Sequence, residues 1–527
     1  MSRRPLVLAA LLALPLSAQQ APAYPENAGA RRAMQGPPTI ERIDTAALAR
    51  IRDEAMNRSQ VLAIALGLSD LQPPRLAGSP GYLQAARWAR DWLRGHGLRA
   101  DLEPHGRATP SWVVDRHSAE MVAPFYMRLN AFPRAWSPAT RGAITAPAMA
   151  IRLRADSDTV ALKGKLRGKI LLNGALTPLA ERSASPMRRW TTAELDSLAR
   201  LPAGGEPESF RQDVTDWKAS MAGRRRRAAF LAREGALALV DPSSTEGTLG
   251  AYGWWGYPAP AWGGVPSFVV ETGQFNRLLR LVEAGQAVRL TLSLAARFVK
   301  PDSLGYNVIG ELPGSDPALA PQVVMMGGHL DSWIAGSGAT DDAAGCAIAM
   351  EVLRVLKATG LQPRRTIRIG LWDGEETSDD YIGSTGYVMR HFGDPYTGAR
   401  GPEHDRLSVY FNVDNGAGAI RGLWLQGNTA AQPLFTQLLA PFADLGATTI
   451  SLQNTGSTDH LAFWGVGLPA FQFIQDPLDY ESRTHHTSLD VGDYLSEPDM
   501  KQAVTVLAGL VYQVAQRDAL VPRQAVP

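Results

Sequence analysis

A single cysteine, Cys346, serves a chain of 527 residues, so no intramolecular disulfide can hold it together. It falls in an Ala-rich helical pattern, where a small buried thiol is the expected reading. An excess of charge of either sign is missing too: 53 basic against 51 acidic side chains leave a net charge of +2. No global basic field therefore points to nucleic acid. The local run Arg224 to Arg227 reads as the solvated face of a helix over Trp217 to Glu234. Beyond the N-terminus, no apolar segment reaches the roughly 20 residues that a membrane-spanning helix needs. What is present is an ordinary soluble composition, 45% hydrophobic and 20% charged, in a chain long enough that two domains are expected.

The N-terminus has the layout of a secretory signal peptide. Arg3-Arg4 precede an apolar run from Pro5 to Leu16, and Leu16-Ser17-Ala18 offers small residues for cleavage before Gln19. Residues 1–18 are expected to be removed on export, leaving a secreted or periplasmic protein with no stable membrane association. Residues 19–38, rich in Ala, Pro and Gln, read as a loose leader.

Helical periods run from Ile40 to Leu68, with Ile43, Ala47, Ile51 and Ala55 on one face, and again after Ser79-Pro80-Gly81 through Leu93. Residues 40–138 are taken as the first part of the main domain. Residues 140–298 differ: short β-rich runs separated by Gly, Pro and polar turns suggest an inserted β-rich domain. Its Trp- and Gly-rich loop from Gly250 to Gly264 is too apolar for a plain linker, and either packs on a neighbouring domain or lines a cleft. Over residues 300–518 strands and helices alternate: Val323 to Met326, Ala343 to Thr359, Thr366 to Trp372, Leu407 to Val413, Pro433 to Leu445, Leu468 to Ile474, Met500 to Gln516. That alternation predicts an α/β fold, a mostly parallel sheet with helices on both faces.

Ligands of such sheets gather beyond the carboxyl ends of the strands. There the chain places Gly327-Gly328-His329-Leu330-Asp331, Asp373-Gly374-Glu375-Glu376 and Asp414. Singly, each motif has a bland reading: Asp341-Asp342 suits a helix start, Asp414-Asn415-Gly416 a turn, His485-His486 a loop. Together, at successive strand ends, they suit a pair of zinc ions, which imidazole and carboxylate ligate well. Two ions roughly 3.5 to 4 Å apart need a bridging carboxylate. Asp341 can supply it, with His329 and Asp414 completing one ion and Glu376 and His486 the other. Glu375, beside a ligand, can move a water proton to a leaving amine. Asp331 is placed to accept the other ring N–H of His329.

The segments Gly-Gly-His-Leu-Asp-Ser (327–332), Ala-Thr-Asp-Asp-Ala-Ala-Gly (339–345), Trp-Asp-Gly-Glu-Glu (372–376), Asn-Val-Asp-Asn (412–415) and His-His-Thr-Ser-Leu-Asp (485–490) resemble zinc peptidase family 28. That family includes bacterial aminopeptidases, glutamate carboxypeptidase and a plasma carboxypeptidase. The resemblance covers residues 75–130 and 300–515, and Leu-Arg-Gly-Lys-Ile-Leu-Leu (166–172) is similar to the protease-associated insert of many members. It implies His329, bridging Asp341, Glu376, Asp414 and His486 as zinc ligands, and it alone separates Glu375, as general base, from Glu376. His486 rather than His485 is chosen because Asp490 follows four residues on, as in the family pattern.

The chain departs from the family at the oxyanion. The Tyr that precedes the final His in glutamate carboxypeptidases is His485 here, and another branch's Tyr before Ser-Asp-His is replaced by Thr455-Gly456-Ser457-Thr458-Asp459-His460. His485, His460 and Tyr480 are therefore candidate substrate-lining groups. Asp479, Glu481 and Arg483 also flank the site and leave open which peptide terminus is held. The expected activity is an exopeptidase acting on peptides, an aminopeptidase first, a carboxypeptidase or dipeptidase second. A one-zinc glutaminyl cyclase and a non-catalytic ectodomain both fit the full ligand set poorly. No nucleic-acid partner is expected; a homodimer stays open.

Overall fold

Near-continuous apolar strands decide the architecture. The computed structural model describes residues 40–107, 110–178, 185, 187–204, 210–250, 264–299, 304–376 and 380–524. The expected signal peptide and leader, residues 251–263 of the Trp- and Gly-rich loop, and 377–379 of the loop after Glu376 lie outside the described residues. Four strands, Thr366–Trp372, Val323–His329, Leu407–Asn412 and Ala470–Gln475, lie side by side and mutually parallel. They read as apolar runs because both faces are covered. Val324, Met326, Ile367, Ile369, Val409 and Phe411 enter one core, while Val323, Met325, Trp372, Leu407 and Tyr410 enter another on the opposite face.

The sheet is parallel only at its centre. Leu304–Leu312 and Arg99–Arg107 extend one side antiparallel. Ile420–Trp424 joins the other side antiparallel and carries Thr449–Ser451 beyond it, completing eight strands. The helix Ala344–Thr359 is buried on every side from Ala344 to Leu356, because it lies between the sheet and an outer layer of Thr45–Asn57, Val61–Ser69 and Glu497–Gln516. The helical period expected over Ile40 to Leu68 is thus two helices. The far face is covered by Ile382–His391 and His460–Trp464. Among the described residues, no helix is long and apolar enough to cross a membrane.

A second eight-stranded sheet draws on Trp112–Ala123, Met127–Arg128, Ala131–Pro133, Ile144–Ile151, Ile170–Asn173, Ala238–Pro242, Ser267–Val270 and Arg289–Phe298. It begins ahead of residue 140, where the sequence pattern suggested a boundary, because Trp112–Ala123 pairs along its length with Arg289–Phe298. Nor is this body only β-rich: Thr272–Glu283 packs on one face and Phe210–Arg233 on the other. Its segment 188–190 lies on the main sheet, where Arg189 meets Asp476 and Asp499 and the Trp190 indole donates to the Gln475 carbonyl.

One cation fixes the chain after His329. Arg75 is fully buried and donates to the carbonyls of Leu330 (2.7 Å), Leu68 (3.0 Å), Ser337 (2.7 Å) and Gly338 (2.8 Å). The loop from Leu330 to Gly338 is thereby tied to the N-terminal helices. Replacing Arg75 with Met takes the donor from the buried Leu330 and Leu68 carbonyls and the part-buried Ser337 carbonyl, each costly to leave unpaired, and leaves Gly338 with the Ala343 N–H. The variant is expected to lose about 3 kcal/mol or more, read as a fall of several degrees in the thermal midpoint; an unchanged midpoint refutes the clamp.

Candidate metal centre

The strand ends converge as the topology requires. His329 closes its strand, Glu375 and Glu376 follow Trp372, and Asp414 follows the strand ending at Asn412. Asp341 lies in the segment Ala339–Ala343, where the backbone of Asp341 and Asp342 departs from helical values. His485 and His486 come from the loop after Tyr480–Thr484. Close approach is paid for by two glycines: a Cβ at Gly328 would stand 2.0 Å from Asp342 Oδ2, and one at Gly345 2.0 Å from the Val413 carbonyl.

Asp341 stands at the middle. Its Oδ1 is 3.2 Å from His329 Nε2, and its Oδ2 is 3.2 Å from His486 Nε2. Asp414 Oδ1 approaches His329 Nε2 at 3.5 Å, and Glu376 Oε2 approaches His486 Nε2 at 2.7 Å. Each imidazole therefore faces two carboxylates and shares one of them with the other. His329 Nδ1 donates to the Asp331 carbonyl at 2.9 Å, which leaves Nε2 as the ring atom able to accept a cation. Asp341 Oδ2 and Glu376 Oε1 are buried without a hydrogen-bond partner. Orphaned buried lone pairs are the signature of groups shaped for a cation.

Neighbours orient these oxygens. The Thr458 hydroxyl donates to Asp414 Oδ2 at 2.5 Å, turning Oδ1 toward His329. The Tyr480 hydroxyl donates to Asp341 Oδ1 at 2.9 Å. Asp490 accepts from the Thr340 N–H (2.6 Å) and hydroxyl (2.8 Å), fixing the residue before Asp341. Trp333 meets the His486 ring edge-on at 6.2 Å, and His485 lies 3.8 Å from it between ring centres.

Negative charge is crowded here. Burial, then the neighbouring carboxylates Asp414, Asp459 and Glu376, lifts Glu375 well above the carboxylate range despite His329. Burial and then Asp341 do the same to Glu376, and burial and Asp414 to Asp342. Burial pushes Asp331 up to about 7 and Asp459 up to about 8. Burial opposes charge on His329, but Asp414 and Asp341 outweigh it and hold its pKa well above the usual imidazole value. For Asp341 the imidazoles win over burial, and its pKa falls.

The structure brings together His329, Asp341, Glu376, Asp414, His486, Glu375, Tyr480 and His485. Asp331 is close but differs in its contacts. Its carboxylate Oδ1 stands 3.8 Å from His329 Nδ1, because it turns instead to accept the Glu375 N–H at 3.1 Å. The ring is held by the Asp331 backbone. His460 does not line a cleft: it is fully buried, its Nε2 lies 3.2 Å from the Thr455 carbonyl, and burial pushes it down to about 4. Arg483 is half-exposed and reaches Asp479 at 3.8 Å. Asp342 was read from sequence as a helix start alone, yet it forms one of three overlapping groups able to hold a cation. These are His329/Asp342/Asp414, His329/Asp341/Glu376 and Asp341/His485/His486, each with donors within 4.8 Å of one another.

Residues 307–511 match the sequence model of peptidase family M28. Carboxypeptidase Q of Bos taurus is 26% identical over 479 residues, 89% of this chain and 88% of that protein. A crystal structure of a peptidase M28 precursor from Shewanella amazonensis SB2B shares the fold, with a TM-score of 0.67 at 24% identity over 91% of this chain and 99% of that one. So does BSAP, a zinc aminopeptidase from Bacillus subtilis, with a TM-score of 0.57 at 20% identity over 88% and 96%.

The raised carboxyls and His329 hold protons near neutrality in metal-free protein, and a divalent cation displaces them. Titrating metal-depleted protein with Zn²⁺ at pH 7 should therefore release protons, measured by calorimetry in buffers of different ionisation enthalpy. Uptake, or no exchange, contradicts this electrostatic picture.

Proposed function

The chain belongs to peptidase family M28 through residues 307–511, and on that premise we propose that it is a zinc-dependent exopeptidase with a two-ion site, removing a terminal residue from short peptides. The observation that carries this is the placement of Asp341, whose two oxygens each face a different imidazole at 3.2 Å. In this reading His329, Asp414 and Asp341 would hold one ion, and His486, Glu376 and the shared Asp341 the other. Zinc when bound polarises a carbonyl and lowers the pKa of water.

The chain's own groups do the rest. Glu375 carries the proton: burial and then Asp414, Asp459 and Glu376 raise its carboxyl well above the carboxylate range, which suits it to take a proton from the attacking water. The proton taken up at its carboxylate passes to the leaving amine. Asp331 holds the Glu375 N–H and so fixes the turn that bears the base. Thr458 and Tyr480 keep Asp414 and Asp341 oriented. Tyr480 and His485 line the substrate side in this reading.

For the terminus recognised, the amino end is the first proposal, with Glu481 or Asp479 as the carboxylate partner of a free amine. Carboxypeptidase or dipeptidase action is the second, favoured by similarity over most of the chain to carboxypeptidase Q and by half-exposed Arg483. Cyclisation by a single ion would leave the shared position of Asp341 without purpose. We also propose that the second sheet is a protease-associated insert, and that Arg3 to Ala18 directs export.

Glu375→Gln is expected to lower kcat by about 10²- to 10⁴-fold while metal analysis still finds two zinc per chain. An active variant refutes the base, and a single tightly bound zinc refutes the pair. Free and end-blocked dipeptides decide direction. Loss of cleavage on N-acetylation means an aminopeptidase; loss on C-amidation means a carboxypeptidase.

A further inference from the structure

Arg224 and Arg227, on the helix face expected to be solvated, border a cavity of ≈ 700 Å³ in the second body. That volume is typical of small-molecule sites. Three further arginines line it, Arg134, Arg152 and Arg154, beside Asn173 and the backbone of 174–178. No Asp or Glu is among the described lining residues.

Three carboxylates reach this cluster from outside the cavity, among them Asp158, which accepts from the Arg154 and Ala155 N–H groups and lies near the charges of Arg227 and Arg154. Buried Asp241 accepts from Arg134 Nε at 3.2 Å and from Asn173 Nδ2 at 2.9 Å, so Arg134 is set on a fixed base. Asp156 is shared between Arg226 Nε at 2.7 Å and Arg227 Nη1 at 3.1 Å. That leaves Arg152, Arg154 and Arg224, which form no ion pair among the described residues. Five guanidinium groups therefore line one space, three of them in no ion pair among the described residues. The repulsion registers at Arg224, whose pKa is lowered by burial and then by Arg134 and Arg227.

A fold gains nothing by holding like charges together unless a counter-charge arrives. Guanidinium forks match planar carboxylate and tetrahedral phosphate with paired donors. We propose that this cavity binds a small polyanion, a ligand presenting two or more carboxylate or phosphate groups. Arg134, held by Asp241, supplies the fixed donor, and Arg152, Arg154 and Arg224 supply the charge that a neutral ligand would not need. The site uses none of the residues assigned to the metal centre, so its ligand is not required to be a substrate.

The test is calorimetric binding to the full-length, zinc-loaded protein at fixed ionic strength. Three probes are compared: tetra-D-glutamate, which resists hydrolysis, fructose bisphosphate, and tetra-D-alanine as the neutral control. Binding of tetra-D-glutamate identifies a carboxylate ligand, and binding of fructose bisphosphate a phosphate ligand. Either supports the proposal when the paired variant Arg152→Gln/Arg224→Gln weakens it at least about tenfold. Both positions are exposed, and Arg154→Gln alone serves as a second variant should the pair fail to fold. Anions that bind no better than tetra-D-alanine, or that bind the variants as tightly as the parent chain, overturn it.

Discussion

Mutual repulsion among buried carboxylates is the constraint on which the rest of this structure turns. Asp331, Asp341, Asp342, Glu376, Asp414 and Asp490 are all buried or nearly so at one edge of the main sheet. Among the described residues, His329, His486, His485 and Arg75 stand with them as counter-charge. A carboxylate taken from water into such a site stays ionised only when something positive is close. In the metal-free protein that role falls to protons, which is why Glu375, Glu376 and Asp342 are displaced so far upward. Divalent cations are the alternative occupant, and the orphaned oxygens of Asp341 and Glu376 face where such ions would sit.

Holding that edge together demands rigidity from everything beneath it. The strands supply it by being buried on both faces, so their register cannot slip without moving apolar side chains into water. The helix Ala344–Thr359, buried from Ala344 to Leu356, starts two residues after Asp342 and leaves Asp341 little independent freedom. Arg75 does for the loop after His329 what the strands do for their own ends. Glycine at 328 and 345 permits backbone approach that any side chain would block.

The central sheet was legible because strands buried on both faces advertise themselves as continuous apolar runs. The edge strands were not. Arg99–Arg107 is half polar and pairs on one side only, and Ile420–Trp424 and Thr449–Ser451 are too short to stand out. The metal-type residues were legible as a set, since His329, Glu376 and Asp414 sit where strands end and Asp341 and His486 follow in recognisable motifs. Contacts made through the backbone were not: nothing in the order His-Leu-Asp says that the Asp331 carbonyl, rather than its carboxylate, would take the His329 ring. Nor does a Tyr five residues before a His announce that its hydroxyl reaches Asp341. The boundary of the second body was misplaced because Trp112–Ala123 mixes exposed and buried positions and so lacks a clean strand alternation.

That second body bears directly on the centre. Asp476, at the end of the Ala470–Gln475 strand, takes hydrogen bonds from Arg421, from Arg189 and from the Trp190 N–H. Two of those three partners belong to the segment leading out of the second sheet. A bridge between Arg188 and Leu478 and another between Gly250 and Thr487 bracket the loop that carries Tyr480, His485 and His486. This loop, like the segment that carries Asp341, does not grow straight out of a strand, so it has little direct support from the main sheet. The second body supplies what the sheet does not. On this geometry the two parts of the chain form one site, with the first setting four of the metal-type side chains and the second holding the fifth in reach of Asp341.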